Sequence, residues 1–399
     1  MRKFVIFLFA LLLPISGAFA ACADNEIDVL GDGTQCELAH FSVTTTNMAA
    51  NTTFSFTLSA SGTFYVDWGD GTIDTISRTG TILETKYSHA YPIAGVKTIR
   101  FGGVATGYST STNVAAISFY AKSSTGKNYI ANILGNMSAM FPYITGNAAN
   151  GAQPRFFFTF YGASYLTSIS DTFFADYTTG AEGMYNKTFC YTGLTAIPAG
   201  LFSSITTGAR QLFYNTFSGC SNLGGYIPPS TFAGLIENGN PTATEMWVNT
   251  FNNTQLLTTC PAGTTQYITG YEGAWIGKVS CEPCPGTLPE NATYSTANSC
   301  DWTCDTGYLQ NNDVCVECSG AIYNGRCREL CPVGRAVLHA GQYTYPLWSD
   351  KTDVPSPVLH IRRDENTVCY VYMEPGKGEV HGLKLRFTDN NVYHAIDPR

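Results

Sequence analysis

Between residues 130 and 258 the chain matches itself. The stretch MYNKTFCYTGLTAIPAGLF (184–202) aligns with LFYNTFSGCSNLGGYIPPSTF (212–232) and MWVNTFNNTQL (246–256), and FTFYGASYLTSISDTFF (158–174) is an earlier, weaker copy. Phe160, Phe189, Phe217 and Phe251 stand in register, followed by Leu166, Leu194, Leu223 and Leu256 at Leu-to-Leu spacings of 28, 29 and 33. A unit of this length with one apolar side cannot bury that side alone, so the copies must stack, with phenylalanines and leucines in internal ladders. Each of the first three leucines is followed by an isoleucine (Ile169, Ile197, Ile227) and a proline or polar turn, which reads as a short strand entering a corner. The pattern predicts a β-rich solenoid over 106–258, its first part acting as an N-terminal cap.

The text ahead of the repeats alternates with period two. FSFTL (54–58) and TFYVDW (63–68) read as strands, with Phe64, Val66 and Trp68 on one face and Tyr65 and Asp67 on the other. Asp70-Gly71 then precedes TIDTI, a hairpin signal because both central residues tolerate positive φ. VKTIRF (96–101) follows a turn at Gly95, and the set predicts a small β-sandwich over 41–105. The carboxylates of Asp67 and Asp70 raise the question of a metal or catalytic loop. An EF-type calcium loop needs a different spacing and a distal glutamate, and glycosidase carboxylates face each other across a cleft rather than share one turn. The reading is a structural hairpin in which Asp70 accepts from nearby backbone N–H groups, with Trp68, Asp70 and Gly71 as its markers.

Met1-Arg2-Lys3, the apolar run Phe4–Leu13, Pro14 and Ala18-Phe19-Ala20 form a secretory signal peptide over 1–20. Ala18-Phe19-Ala20-Ala21-Cys22 also loosely fits a lipoprotein signal that would acylate Cys22, but this would strand Cys36, its nearest partner, in the short segment 21–40. No later stretch is apolar enough for a transmembrane segment. Charged residues are only 13% and the net charge is −8 with no Lys/Arg run, which argues against nucleic acid as a partner. Between 106 and 258 five basic residues balance five acidic ones, so that surface suits sugars or broad protein contacts rather than long-range steering.

Fourteen cysteines divide the chain, nine of them between Cys260 and Cys331. Pairs such as Cys281-x-x-Cys284 and Cys315-x-x-Cys318 have zinc-like spacing, yet export to an oxidising compartment favours disulfides among Cys22, Cys36, Cys260, Cys281, Cys284, Cys300, Cys304, Cys315, Cys318, Cys327, Cys331 and Cys369. A Cys-rich module over 259–331 follows, and a small β domain over 332–399, where TVCYVYME and GLKLRF alternate. Cys190 and Cys220, at similar repeat positions, form either a cross-coil disulfide or, as preferred, two buried thiols. His339, His360, His381 and His394 stand about one per strand and read as ordinary surface residues. The repeat aromatics Tyr185, Phe213, Tyr214 and Trp247 belong mostly to the core, with stacking on sugar as the alternative use. No nucleophile motif, phosphate loop or dinucleotide fingerprint is present, so no cofactor and no enzyme activity is expected.

VDWGDGT with HAY (89–91) and a Gly95-led strand resembles a divergent PKD-like, immunoglobulin-type domain. Phe217-Ser218-Gly219-Cys220-Ser221-Asn222-Leu223 and Leu194-Thr195-Ala196-Ile197-Pro198 with Phe202 resemble the repeats of BspA-like leucine-rich-repeat surface proteins. CPAGTTQY, CDTGYLQNNDVC and CPVGRA resemble EGF-like and receptor Cys-rich modules. Together these imply a mainly β, multidomain bacterial protein, secreted or held at the cell surface. The resemblance implies adhesion or ligand binding through the solenoid, with a host or neighbouring-cell protein or glycan as partner. The alternatives are an accessory carbohydrate-binding protein or envelope hydrolase, and a structural surface-layer or stalk component.

Overall fold

The computed structural model describes residues 22–318 with their side chains, apart from 80–82, 112, 121–128, 145–152, 240–242 and 269–273; beyond 318 it describes the backbone of eight short strands between 321 and 396. The predicted signal peptide lies outside the described residues. So do the side chains of Cys327, Cys331, Cys369 and the four C-terminal histidines. The chain is mainly β, with small sheets, none closed, and one short α-helix, Ala233–Glu237. No helix among the described residues is long and apolar enough to cross a membrane. Two compact units result, one of 1–260 with 266–282, the other of 261–265 with 283–399.

The first unit begins with β1 (Glu26–Asp28), β2 (Cys36–Thr45), β3 (Thr52–Leu58), β4 (Ser61–Asp67), β5 (Ile73–Arg78), β6 (Thr85–Tyr91), β7 (Thr98–Gly107), β8 (Ile117–Ser118), β9 (Ile130–Gly135) and β10 (Ser168–Ile169). One sheet runs β10-β9-β2-β7-β4-β5, with β1 also paired to β2, and the other runs β6-β3-β8. The alternation read from TFYVDW holds: Phe64, Val66 and Trp68 are buried, while Tyr65 and Asp67 are half-exposed. Phe56 of the smaller sheet meets Phe101 of the larger edge-to-face at 5.3 Å, in the core between them. Strand pairing in this part is antiparallel until β9 meets β10, which is parallel and lies inside the first repeat copy. One hydrophobic cluster therefore continues from Phe41 of β2 to Trp275, past the last repeat.

The repeats bury their anchors as a ladder. Phe119 and Phe160 stack at 5.4 Å, Phe160 and Phe189 at 5.6 Å, Phe189 and Phe217 at 5.5 Å, and Phe217 and Phe251 at 5.8 Å, with rings within 11° of parallel. A second column runs Phe156, Tyr185, Phe213, Trp247 and a third Phe174, Phe202, Phe232. Leu166, Leu194, Leu223 and Leu256 are buried beside them. Each fully buried ring contributes roughly 1.5–3 kcal/mol from its apolar area.

Around the anchors the backbone is neither helix nor strand. It is a run of consecutive turns, and its hydrogen bonds alternate. In the second copy the N–H groups of Met184, Asn186, Thr188, Cys190 and Thr192 donate three residues back within the copy, whereas those of Gly183, Tyr185, Lys187, Phe189 and Tyr191 donate to carbonyls of the next copy. The carbonyls of Met184, Asn186, Thr188 and Cys190 accept from the copy before. The backbone requirement of a buried segment is thus met without regular secondary structure. Every fourth residue pays for this with a left-handed φ: Gly183, Lys187, Tyr191; then Gln211, Asn215, Gly219; then Glu245, Asn249, Asn253. A buried threonine precedes each anchor phenylalanine, and the hydroxyls of Thr159, Thr188, Thr216 and Thr250 donate to the carbonyls of Ile117, Phe156, Tyr185 and Phe213, in the coil before. The short strands read from the Leu-to-Ile text shrink to β10 and to a single parallel bridge, Ile227 to Ser280; a second bridge, Thr179 to Thr207, lies beyond those segments.

Among the described residues four disulfides join Cys22–Cys36, Cys260–Cys281, Cys284–Cys300 and Cys304–Cys315, and Cys318 is disulfide-bonded as well. They fit an oxidising compartment. Among the described residues the sulfurs of Cys281, Cys284, Cys315 and Cys318, which have zinc-like spacing, are consumed in disulfides, and Cys281 and Cys284 go to different partners. The Cys260–Cys281 bond falls in the first unit, where it closes the segment that sets Trp275 against Phe232, Trp247 and Phe251. In the second unit two short hairpins, Ala292–Tyr294 with Trp302–Cys304 and Tyr308–Asn311 with Val314–Glu317, hang on the remaining bonds. Of the terminal β domain only strand backbone is described, including the antiparallel pairs Leu359–Arg363 with Cys369–Met373 and Leu385–Asp389 with Val392–Ile396.

Cys190 and Cys220 are free and buried. Burial pushes the Cys190 thiol up to about 12 and the Cys220 thiol up to about 11. Thiolate, the reactive form, is therefore scarce at neutral pH. Iodoacetamide at pH 8 is expected to leave both unmodified in the folded protein and to alkylate both in denaturant; mass spectrometry of the two samples reads the difference.

Candidate functional site

The WGDG corner is built around Trp68. Trp68 is fully buried; its N–H donates to Thr72 O at 3.0 Å, closing the turn between β4 and β5, and its indole Nε1 donates to Asp74 Oδ2 at 3.0 Å. His89 lies against the indole, with centroids 5.0 Å apart and planes at 18°. The Tyr91 hydroxyl donates to Trp68 O at 2.7 Å, so the His-x-Tyr text on β6 and the Trp on β4 form one cluster.

The two carboxylates do not converge. Asp67 Oδ1 accepts from the Gly69 N–H at 2.9 Å and its other oxygen faces Arg100 at 3.7 Å, while Asp70 accepts from the Thr72 N–H and hydroxyl at 3.1 and 2.6 Å and from His89 Nε2 at 2.7 Å. Both are occupied as turn and ion-pair acceptors. Burial pushes the Asp70 carboxyl upward, but the bonds from Thr72 and His89 outweigh it and hold it below the ordinary carboxylate range. Protonation is then harder in the folded protein than in the unfolded chain. The stabilisation is complete above the unfolded value of roughly 3.9 and is lost as pH falls through the lower folded value. Thermal melts from pH 6 to pH 2 should show a shallower acid limb for Asp70→Asn than for the parent; parallel curves would contradict this assignment.

Among the described residues one group has metal-ligand spacing, Cys22, Glu26 and Cys36, and its two sulfurs are bonded to each other.

The repeat aromatics named above divide differently from the sugar-stacking alternative. Tyr185, Phe213 and Trp247 are inside the ladders, and only Tyr214 is half-buried. A second set of rings lies outside. Tyr120 and Tyr161, each next to an anchor phenylalanine, meet edge-to-face at 5.0 Å; Phe158 lies 5.6 Å from Tyr120 and 4.7 Å from Tyr161; Tyr191 continues the row 5.5 Å beyond Tyr161. The row crosses three successive coils. Tyr191 is 53% exposed, and Tyr120, Phe158 and Tyr161 are half-buried. Lys187 Nζ sits 5.0 Å over the Phe158 ring. At one end the row meets a groove of about 250 Å³ lined by Tyr120, Phe157 and Phe158 together with Glu84 and Asn113.

Two of these rings stand on unusual backbone. Phe158 has φ 56° and Tyr191 φ 58°, the left-handed region that favours glycine and asparagine. Gly219 and Asn253 occupy the position of Tyr191 in later copies. The Tyr191 ring lies across Gly219, where an added Cβ would come within 2.3 Å of it. The sequence did carry a signal for this row, the Phe-Tyr pairs 119–120 and 160–161, but an aromatic beside an aromatic anchor reads as more core.

No protein-family model, curated protein or solved structure matches this chain.

Proposed function

We propose that this is an exported, non-catalytic protein of the BspA-like leucine-rich-repeat kind, in which a PKD-like sandwich precedes a repeat solenoid and a Cys-rich stalk. Its role is adhesion or ligand binding at a cell surface, and the outer aromatic row of the solenoid is the binding face. The observation that carries this reading is the row itself: Tyr120, Phe158, Tyr161 and Tyr191 line up at the surface across three successive coils, and Tyr191 is 53% exposed. The ladders hold the row rigidly, which lowers the entropic cost of binding. The separate engagement of Asp67 and Asp70 supports a role without catalysis.

The test is saturable binding of fluorescently labelled protein to fixed bacterial and animal cells. Binding by the parent, lost in the Tyr120→Ser/Tyr161→Ser variant, is the expected result. Equal binding by both would remove the aromatic row from the account, and turnover of polysaccharide abolished by Asp67→Asn would replace an adhesin with a hydrolase.

A further inference from the structure

We infer that the aromatic row and its groove bind a neutral glycan chain, a deepening that rests on the row being the binding face. Three observations converge. The row places ring centroids 4.7–5.6 Å apart from Tyr120 to Tyr191 with neighbouring rings turned 32–82° to one another, a stepped strip of ring faces and edges suited to the C–H groups of an extended sugar chain rather than to one compact ligand. The groove at its end, about 250 Å³, is smaller than the pockets that enclose whole drug-sized molecules, so it takes one ring-sized residue of a longer chain. In its lining the Asn113 side-chain amide supplies donors and an acceptor, the mixed set that hydroxyl groups require.

Charge selects among glycans. The repeats from 106 to 258 carry as many basic as acidic residues, and the groove lining holds an acidic residue and no basic one, so nothing draws in a sulfated or uronic chain. A protein ligand of comparable grip would need a broad contact with a desolvated centre; the row is a strip of four rings of which Tyr191 alone is more than half exposed. Tyr191, the exposed end of the row, is the terminal platform.

Calorimetry of the full exported chain against cello-, malto-, manno- and chitohexaose tests this. One series is expected to bind, tightening from disaccharide to hexasaccharide as more rings are covered. Tyr161→Ala and Tyr191→Asn should each weaken it about tenfold, since an aromatic contact contributes on the order of one such factor. Asparagine suits the left-handed backbone at 191, so the melting temperature of Tyr191→Asn should not fall, which separates a lost platform from a damaged fold. No heat with any hexasaccharide at millimolar concentration, or parent-like affinity in both variants, overturns the inference. If cells are still bound through the row while every saccharide fails, the glycan assignment falls and the binding face stands; if the row is dispensable for both, the two fall together.

Discussion

Phe189→Ala is expected to destabilise the first unit by about 3–5 kcal/mol, the cost of emptying a large buried aromatic site. Phe189 is the middle rung of its ladder, stacked on Phe160 and Phe217 and touched by Phe174. The site cannot collapse easily, because the coils on either side are fixed by hydrogen bonds from Phe160 to Thr188 and from Phe189 to Thr216. Phe189→Leu keeps most of the volume and should lose about half as much. Chemical denaturation with tryptophan fluorescence measures both. A loss below about 1 kcal/mol for the alanine variant would mean that the ladder does not set the stability of the repeats.

The second large effect is at the far end of the stack. Removing the Cys260–Cys281 bond as Cys260→Ala/Cys281→Ala should cost about 3 kcal/mol, as expected when a loop of this length is no longer closed in the unfolded chain. The bond also retains the segment whose Trp275 covers Phe232, Trp247 and Phe251, and whose Val279 N–H donates to Leu257 O. Terminal repeats need such a cover. Hydrogen exchange should therefore rise first in 246–257 and spread toward earlier copies as denaturant is added. Uniform exchange across all copies would contradict an end-capped stack.

The parts of this fold that were legible in the sequence are those written in apolar spacing. Phe160, Phe189, Phe217 and Phe251 announced a ladder because nothing but stacking buries a ring every 28 to 34 residues. Trp68 and Asp70-Gly71 announced a hairpin because its turn chemistry is local. The buried threonines that precede the anchors, Thr159, Thr188, Thr216 and Thr250, were not legible as core, since a hydroxyl is buried here only because the preceding coil offers a carbonyl. The turn ribbon was hidden for a related reason. Its left-handed positions hold Lys187, Gln211 and Glu245 as well as glycine and asparagine, so composition does not mark them.

The sheet boundary near residue 105 misled in its own way. β8 and β9 follow a polar stretch rich in serine and threonine, and IANILG alone is too short to declare a strand, yet β9 joins β2 of the sandwich to β10 of the first repeat. The outer aromatic row was hidden by its own neighbours: Tyr120 and Tyr161 follow core phenylalanines, and only the coil geometry turns the next residue outward. Trp247, which from sequence could have served as a sugar platform, is 5% exposed and carries the core instead.

The central claim is that a rigid stack displays an aromatic row for binding, and Tyr191→Asn tests it most directly. The substitution removes the most exposed ring and places at 191 a residue that the left-handed backbone accepts. Melting temperature and cell binding, measured on one preparation, should separate: the melting temperature equal to or above that of the parent, and the binding reduced about tenfold. Parent-like binding by a variant that melts with the parent would contradict the account.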